Sequence, residues 1–312
     1  MKPWTQVPPQ HGRRFVITGA NSGIGLAAAQ ILGSRGAEVV LACRSLDKAE
    51  AAARTVPGHD QGRVAVRELD VADLDSVHRV AEEIGREYDG VDVLINNAGV
   101  LGVPHRVTPA GVEMHFATNY LGHFALTQLL LPMLRDRVVV TGSREHRSSS
   151  GLDLADLGWQ RRPYRPFKAY ADSKLADLLF LAELDRRLRA AGSTLRAVGA
   201  HPGSTATAIT SGSGHRVVTA VGDLGHKLVG MPTWRGALCT VYAATMEVAG
   251  NSYTGPHGRT EMFGWPAPAR RSARAEDVVT ARALWQRSVE LTGLDLPERL
   301  PGTTRDPEVS PG

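Results

Sequence analysis

Tyr170 and Lys174 stand four residues apart in Tyr170-Ala-Asp-Ser-Lys174, at the head of a long stretch of apolar periodicity. On a helix the two share a face, one turn from each other. A free phenol titrates near pH 10 (approximately) and is a poor acid or base near neutrality. An ammonium beside it favours the phenolate and brings the group into working range for proton transfer. The same spacing also describes an ordinary surface pair, so the rest of the chain has to decide between the two.

A second constellation lies near the start. Arg13 to Thr18 reads as a short buried strand, followed by Thr18-Gly-Ala-Asn-Ser-Gly-Ile-Gly25 and an Ala- and Leu-rich helical run over 26–34. Strand, glycine loop and helix in that order bind phosphate. Gly19 serves the tight turn, Gly23 lets the backbone approach a pyrophosphate, and Gly25 lets the helix pack against the sheet. The helix N-terminus then offers N–H groups and a positive dipole end. Arg44 ends the next apolar run, Glu38 to Cys43. A dinucleotide fold reads the ribose at that point, and a carboxylate there would take the 2′-hydroxyl of NAD(H). Here Cys43 is neutral and Arg44 is a fixed cation whose fork suits a phosphate, which favours NADP(H) over NAD(H). An exposed strand-end arginine is the plain alternative.

These groups need elements to position them. Apolar runs at 63–69, 91–95, 137–142 and 194–200 read as further strands. Helical spacing occupies 46–54, 73–88 (with N-cap candidates between Asp70 and Asp75), 111–134, 170–191, 233–249 and 275–291, and a last short strand is expected near 251–254. The alternation predicts an α/β fold, a doubly wound parallel sheet of the Rossmann type. Such sheets bind ligands at the C-terminal ends of their strands, where Asn96-Asn-Ala-Gly99, Ser143 and His201-Pro-Gly203 all fall. Asn119 sits inside a helix, where its side chain competes for backbone groups and often marks a kink or a local job; His123 reads as a packing residue. The polar segment 144–166 reads as an inserted surface stretch, with His146 an exposed loop histidine, and 204–230 as a lid. Residues 1–12 and 293–312 read as loose ends around one domain over 13–292.

Composition sets the outer bounds. The 312 residues carry 36 basic and 32 acidic side chains and two cysteines. Basic runs at Arg161–Lys168 and Arg270–Arg274 lack the interleaved aromatics of a nucleic-acid surface and read as solvated. The cysteines fit a reducing compartment. No apolar run reaches the roughly 18–20 residues of a membrane span, and residues 1–12 lack a signal-peptide core. The expectation is a cytoplasmic protein.

Taken together, T-G-A-N-S-G-I-G at 18–25, N-N-A-G at 96–99, Asn119, Ser143, Y-A-D-S-K at 170–174 and P-G at 202–203 resemble the short-chain dehydrogenase/reductases, in family order across 13–255. L-A-C-R at 41–44, N-Y-L-G-H-F at 119–124, the 144–166 insertion and S-K-L-A at 173–176 resemble the retinol-dehydrogenase-like or protochlorophyllide-reductase-like branch. The resemblance implies a catalytic tetrad of Asn119, Ser143, Tyr170 and Lys174. It implies that Thr18, Gly19, Ser22, Gly23, Ile24 and Gly25 hold the pyrophosphate and that Arg44 meets the 2′-phosphate. Asp70 and Val71 would border the adenine, Asn97, Ala98 and Gly99 the cofactor cleft, and Pro202, Gly203 and Thr207 the nicotinamide. Tyr170 would protonate a substrate carbonyl as hydride arrives, and Lys174 would also hold the ribose. Ser143 would orient the carbonyl, and Asn119 would hold a water linked to Lys174. The partner implied is a small carbonyl or alcohol compound, and homo-oligomers are expected of the family. Against this stand a binder that keeps the fold without turnover, and reduction of a conjugated C=C bond by the same Tyr and Lys. The family usually has two serines after the fifth strand; here the pair is Gly142-Ser143.

Overall fold

The computed structural model describes residues 6–204 and 231–303. Thr207, and the expected lid beyond Ser204, lie outside the described residues. Among the described residues, eight strands form one sheet: β1 (Arg14–Thr18), β2 (Glu38–Cys43), β3 (Val64–Glu68), β4 (Val91–Asn96), β5 (Leu134–Thr141), β6 (Arg196–Ala200), β7 (Tyr253–Pro256) and β8 (Pro266–Pro268). Their order is β3-β2-β1-β4-β5-β6-β7-β8. Every neighbouring pair is parallel except β7 with β8. The order reverses between β1 and β4, and that switch point leaves a crevice at the strand ends.

Both faces of the sheet are covered, so its strands are apolar on both sides. In β2, Val40 and Ala42 join one core, while Val39, Leu41 and Cys43 join the other. On one face lie α1 (Gly23–Ser34), α2 (Leu46–Ala53) and α6 (Thr233–Thr245). On the other lie α3 (Leu74–Glu87), α4 (Gly122–Leu130), α5 (Pro166–Ala190) and α7 (Val278–Thr292). Asp73 caps α3 by accepting the Asp75 amide, and Pro166 begins α5, where its missing N–H costs nothing. Trp285 of α7 is fully buried among Phe124 and Phe180, with ring centroids 5.1 and 6.0 Å away.

Several expectations are corrected. The helix expected over 111–134 begins at Met114, and its first part, Phe116–Leu121, is π-helical. β5 starts at Leu134, three residues earlier than the apolar run suggested, because Pro132 sits in a tight 3-10 turn just before it. The segment 144–166 is no loose surface insertion. His146, Ser149, Asp156, Leu157 and Trp159 are buried, and Ser149 Oγ donates to the buried Asp172 carboxylate at 2.5 Å. Within the described parts of the two end segments, Val7 and Gln10 are buried, Leu294 and Leu296 pack against the core, and Leu300 is buried.

Candidate active site

A cavity of about 690 Å³ runs along the C-terminal ends of β1, β2, β4, β5 and β6. One end is the glycine loop, with Gly19, Ser22, Gly23 and Ile24 on its wall. Gly19 and Gly23 have φ of +66° and +58°, a region in which side chains are strained. A Cβ on Gly19 would also lie 2.9 Å from Ala98 Cα. Gly25 stands behind the loop, where a Cβ would come within 2.7 Å of Gly19 O. The first turn of α1 holds no acidic residue, and the Ser22 side chain makes no cap bond. These features leave N–H groups and the positive helix end for an anion. Arg44 lines the same wall and is exposed, with no ion pair to another described residue. Lys48, one turn on in α2, joins it there. The cradle, the helix end and two cations are a donor set that fits a dinucleotide carrying an extra phosphate.

Asp70, Val71, Asn97, Ala98 and Gly99 line the middle of the cavity. Thr18 does not reach it; the side chain is buried and works as a hub. Thr18 Oγ1 accepts the amide hydrogens of Asn97 and Ala98, both at 2.9 Å. Asn97 Nδ2 donates to Thr18 O at 2.8 Å. His123 completes the chain. Its Nδ1 lies 2.9 Å from the Asn119 carbonyl, which can only accept, so that nitrogen carries the hydrogen. Its Nε2 then accepts from the Thr18 hydroxyl at 2.8 Å. Burial, the largest influence, pushes His123 down to about 4 and keeps it neutral. Thus Thr18 positions the 97–99 turn instead of touching phosphate, and His123 is a hydrogen-bonded link instead of mere packing.

Toward the ends of β5 and β6 the same cavity is lined by Ser143, Tyr170, Lys174, Pro202 and Gly203. Ser143 lies in extended backbone after β5, and its Oγ accepts the Glu145 amide at 3.2 Å. Tyr170 is 8% exposed, with Lys174 Nζ 5.9 Å from its ring centre. Lys174 Nζ donates to Thr141 O and to Asp177 Oδ2, both at 2.9 Å. Burial opposes its charge, but Asp177 and Tyr170 favour it and hold Lys174 above its ordinary value. Asn119 stands behind this group. Its Nδ2 donates to Val100 O (3.1 Å) and Ser173 Oγ (2.9 Å), and its Oδ1 accepts the Val100 amide at 2.8 Å. The side chain is fully engaged in pinning the wall residue Val100 to the helix of Tyr170.

His146 is buried, contrary to the exposed reading. Its Nδ1 donates to Ser143 O at 2.6 Å, and its Nε2 accepts the Ser272 amide at 3.1 Å. The histidine therefore ties the Ser143 turn to the segment after β8. A serine at position 142 would crowd its neighbours: a Cβ there would lie 2.7 Å from the Tyr253 hydroxyl and 3.1 Å from Leu178 Cδ2, so those buried side chains would have to shift. Lys48, Phe167, Asp177 and Met262 join the site without having been expected there, whereas His201 stands at the strand end where it was expected. Asp177 carried a signal, falling three residues from Lys174 on one helix. Phe167, His201 and Met262 come to the cavity wall from separate elements.

A doubly wound sheet with a phosphate cradle and a Ser-Tyr-Lys group at one crevice defines a dinucleotide-dependent oxidoreductase architecture. Residues 13–150 match the family model described as short chain dehydrogenase. Retinol dehydrogenase 13 of Homo sapiens is 40% identical over 295 residues, which are 92% of this chain and 86% of that protein. Retinol dehydrogenase 11 of Mus musculus is 37% identical over 91% of this chain and 87% of its own length. Among solved structures, an uncharacterised protein from Mycobacterium paratuberculosis is 45% identical with a TM-score of 0.78, covering 94% of this chain and 98% of that one. A short chain dehydrogenase from Shigella flexneri complexed with NADP, 22% identical with a TM-score of 0.60, covers 80% of this chain and 98% of its own and shares the fold. The chain belongs to the short-chain dehydrogenase family, in its retinol-dehydrogenase-like branch, and is an oxidoreductase of alcohol and carbonyl groups.

Proposed function

We propose that this chain is an NADP(H)-dependent oxidoreductase that interconverts a carbonyl and an alcohol on an apolar or amphipathic small molecule, with Tyr170 as acid and base. The observation that carries the reading is the joining of two groups in one cavity: Ser143, Tyr170 and Lys174 at one end, and the glycine cradle with Arg44 and Lys48 at the other. When bound, NADP(H) supplies or accepts the hydride. Gly19, Ser22, Gly23 and Ile24 would hold its pyrophosphate, Arg44 and Lys48 its 2′-phosphate, and Asp70 and Val71 its adenine. Asn97 to Gly99, Pro202 and Gly203 would wall its path. Tyr170 gives a proton to the carbonyl oxygen in reduction and takes it back in oxidation. Lys174, with its Nζ 5.9 Å from the Tyr170 ring centre, would stabilise negative charge on the phenol oxygen as its proton leaves, and the Ser143 hydroxyl would hold the same substrate oxygen in place.

Val100, Leu101, Phe167 and Met262 give the substrate end an apolar wall, which suits an apolar chain better than a sugar. The names of the relatives, retinol dehydrogenases, support an alcohol of that class. The test is Tyr170→Phe with NADPH and a panel of apolar aldehydes and ketones. NADPH binding should persist while turnover falls by about 10²–10⁴, the usual worth of a positioned proton donor. Unimpaired turnover overturns the assignment. Product analysis in the same assay separates carbonyl from C=C reduction.

A further inference from the structure

Asp177 lies one turn beyond Lys174 on α5 and faces the same interior. The two side chains are buried, with 3% and 7% of their surface exposed, and their 2.9 Å contact is a charge-assisted hydrogen bond inside the protein. An ammonium has three hydrogens. Thr141 O and Asp177 Oδ2 take two of them, so the third is left for the cavity that Lys174 lines. We propose that Asp177 is a positioning residue of this active site: as the buried counter-ion of Lys174 it keeps the ammonium charged and aimed, and its negative charge offsets part of the field that the ammonium exerts at Tyr170, 5.9 Å from that ring's centre. The inference rests on the reading of Tyr170 as the acid and base.

The surroundings leave few other charges to share this task. Tyr120, brought by the π-helical turn, and Tyr253, brought by β7, face Asp177, and burial keeps both neutral. His123, on α4, meets Lys174 and is neutral as well. On β5 the contact is a backbone carbonyl, Thr141 O. Tyr170 itself also faces His115, with ring centroids 6.2 Å apart, and behind that ring stands the Glu113 carboxylate, 2.7 Å from His115 Nδ1. A change at Asp177 leaves this second pair in place, and Lys174 with Asp177 is the pair the inference concerns. Lys174 and Asp177 respond to burial differently. Burial lifts the Asp177 carboxyl above its ordinary range against the single attraction of Lys174. Lys174 is buried alike but has two favourable neighbours, Asp177 and Tyr170. Removing the charge of Asp177 removes a field that holds protons on both Tyr170 and Lys174, so the first proton leaves the pair at lower pH.

The experiment compares the wild type with Asp177→Asn, which keeps an acceptor for Lys174 but no charge. Tyr170 ionisation is read by tyrosinate ultraviolet absorbance in the cofactor-free protein, as the difference from the matching Tyr170→Phe background. The pH profile of kcat for alcohol oxidation is read alongside. Both midpoints should move to lower pH by about one unit, a tenfold change in proton affinity. Asp177→Glu should restore the wild-type midpoints. If Asp177→Asn fails to fold, Asp177→Ser, which is neutral and smaller, takes its place. Lowered kcat with unmoved midpoints in the neutral variants overturns the proposal and leaves Asp177 a packing residue. The two readings fail separately. Turnover surviving Tyr170→Phe removes the acid–base role, whereas turnover lost in Tyr170→Phe with an unmoved tyrosinate titration in Asp177→Asn removes the counter-ion role alone.

Discussion

At the scale of single residues, the proposed preference for NADP(H) rests on Arg44. The position after β2 was readable because a dinucleotide fold presents the ribose there, and a fork-shaped cation in place of a carboxylate has an immediate chemical meaning. Lys48 was not readable in the same way. An exposed lysine in a short polar helix looks like any solvated face, and only the curvature of the loop brings it onto the wall with Arg44. Arg44→Asp replaces an attraction with a repulsion against a 2′-phosphate. NADPH affinity should drop more than tenfold, since a hydrogen bond to a charged group is worth about 1.5–3 kcal/mol, while NADH affinity changes little. Titration of both cofactors by nicotinamide fluorescence checks this. Equal losses would take Arg44 out of the phosphate role. Lys48→Ala should show the same selectivity more weakly, because one cation remains.

At the scale of elements, the sheet was legible and several of the contacts that shape the site were not. Apolar runs on a two-sided parallel sheet declare themselves, and seven of the eight described strands overlap their expected places. β8 escaped because Pro266-Ala-Pro268 argues against a strand; it is tolerated at the sheet's edge, paired antiparallel to β7. The π-helical turn at Phe116–Leu121 escaped because periodicity reports a helix, not its winding. The polar run 144–166 misled by composition, since buried polar groups such as His146 and Ser149 have partners far away in sequence. Gly122 shows the same limit. It stood inside a recognisable motif, yet its reason is tertiary: a Cβ there would lie 1.8 Å from Val71 O and 2.6 Å from Val71 Cγ1. The start of α4 therefore rests directly on the loop that ends β3. Gly122→Ala must push the two apart, at a cost toward the upper end of the roughly 1–3 kcal/mol usual for overpacking, since the clash is with backbone. Thermal unfolding should show the loss, and NADPH should bind more weakly because Asp70 and Val71 line its proposed adenine end. Unchanged stability would mean that the two elements are free to separate.

At the scale of the whole molecule, the buried histidines set how the fold responds to acid. His123 and His201 are buried, and burial is the largest influence in both, pushing each down to about 4. An unfolded histidine takes up its proton near pH 6.5 (approximately). Between about pH 6.5 and 4 the unfolded chain thus binds protons that the folded chain refuses, and stability falls as the pH falls. Each histidine contributes about 3 kcal/mol to that loss at its full extent. Asp177 works in the opposite direction: its raised carboxyl takes a proton in the folded state before an exposed aspartate would. Glu113 and Asp136 are held below their ordinary range despite burial, Glu113 by His115 and Asp136 by Arg137 and Arg196, and they extend the acid loss to lower pH. The unfolding temperature should therefore decline steadily from pH 7 toward pH 4.5 (roughly the histidine window). His201→Gln isolates one contribution. Glutamine can accept the Gly203 amide, which His201 Nδ1 accepts at 3.3 Å, but it has no proton to take up. Its lost ring contact with Tyr253, 5.3 Å between centroids, lowers stability by the same amount at every pH. The variant should start less stable and decline less steeply, so the two curves converge in acid. Parallel curves would show that His201 does not govern the acid response.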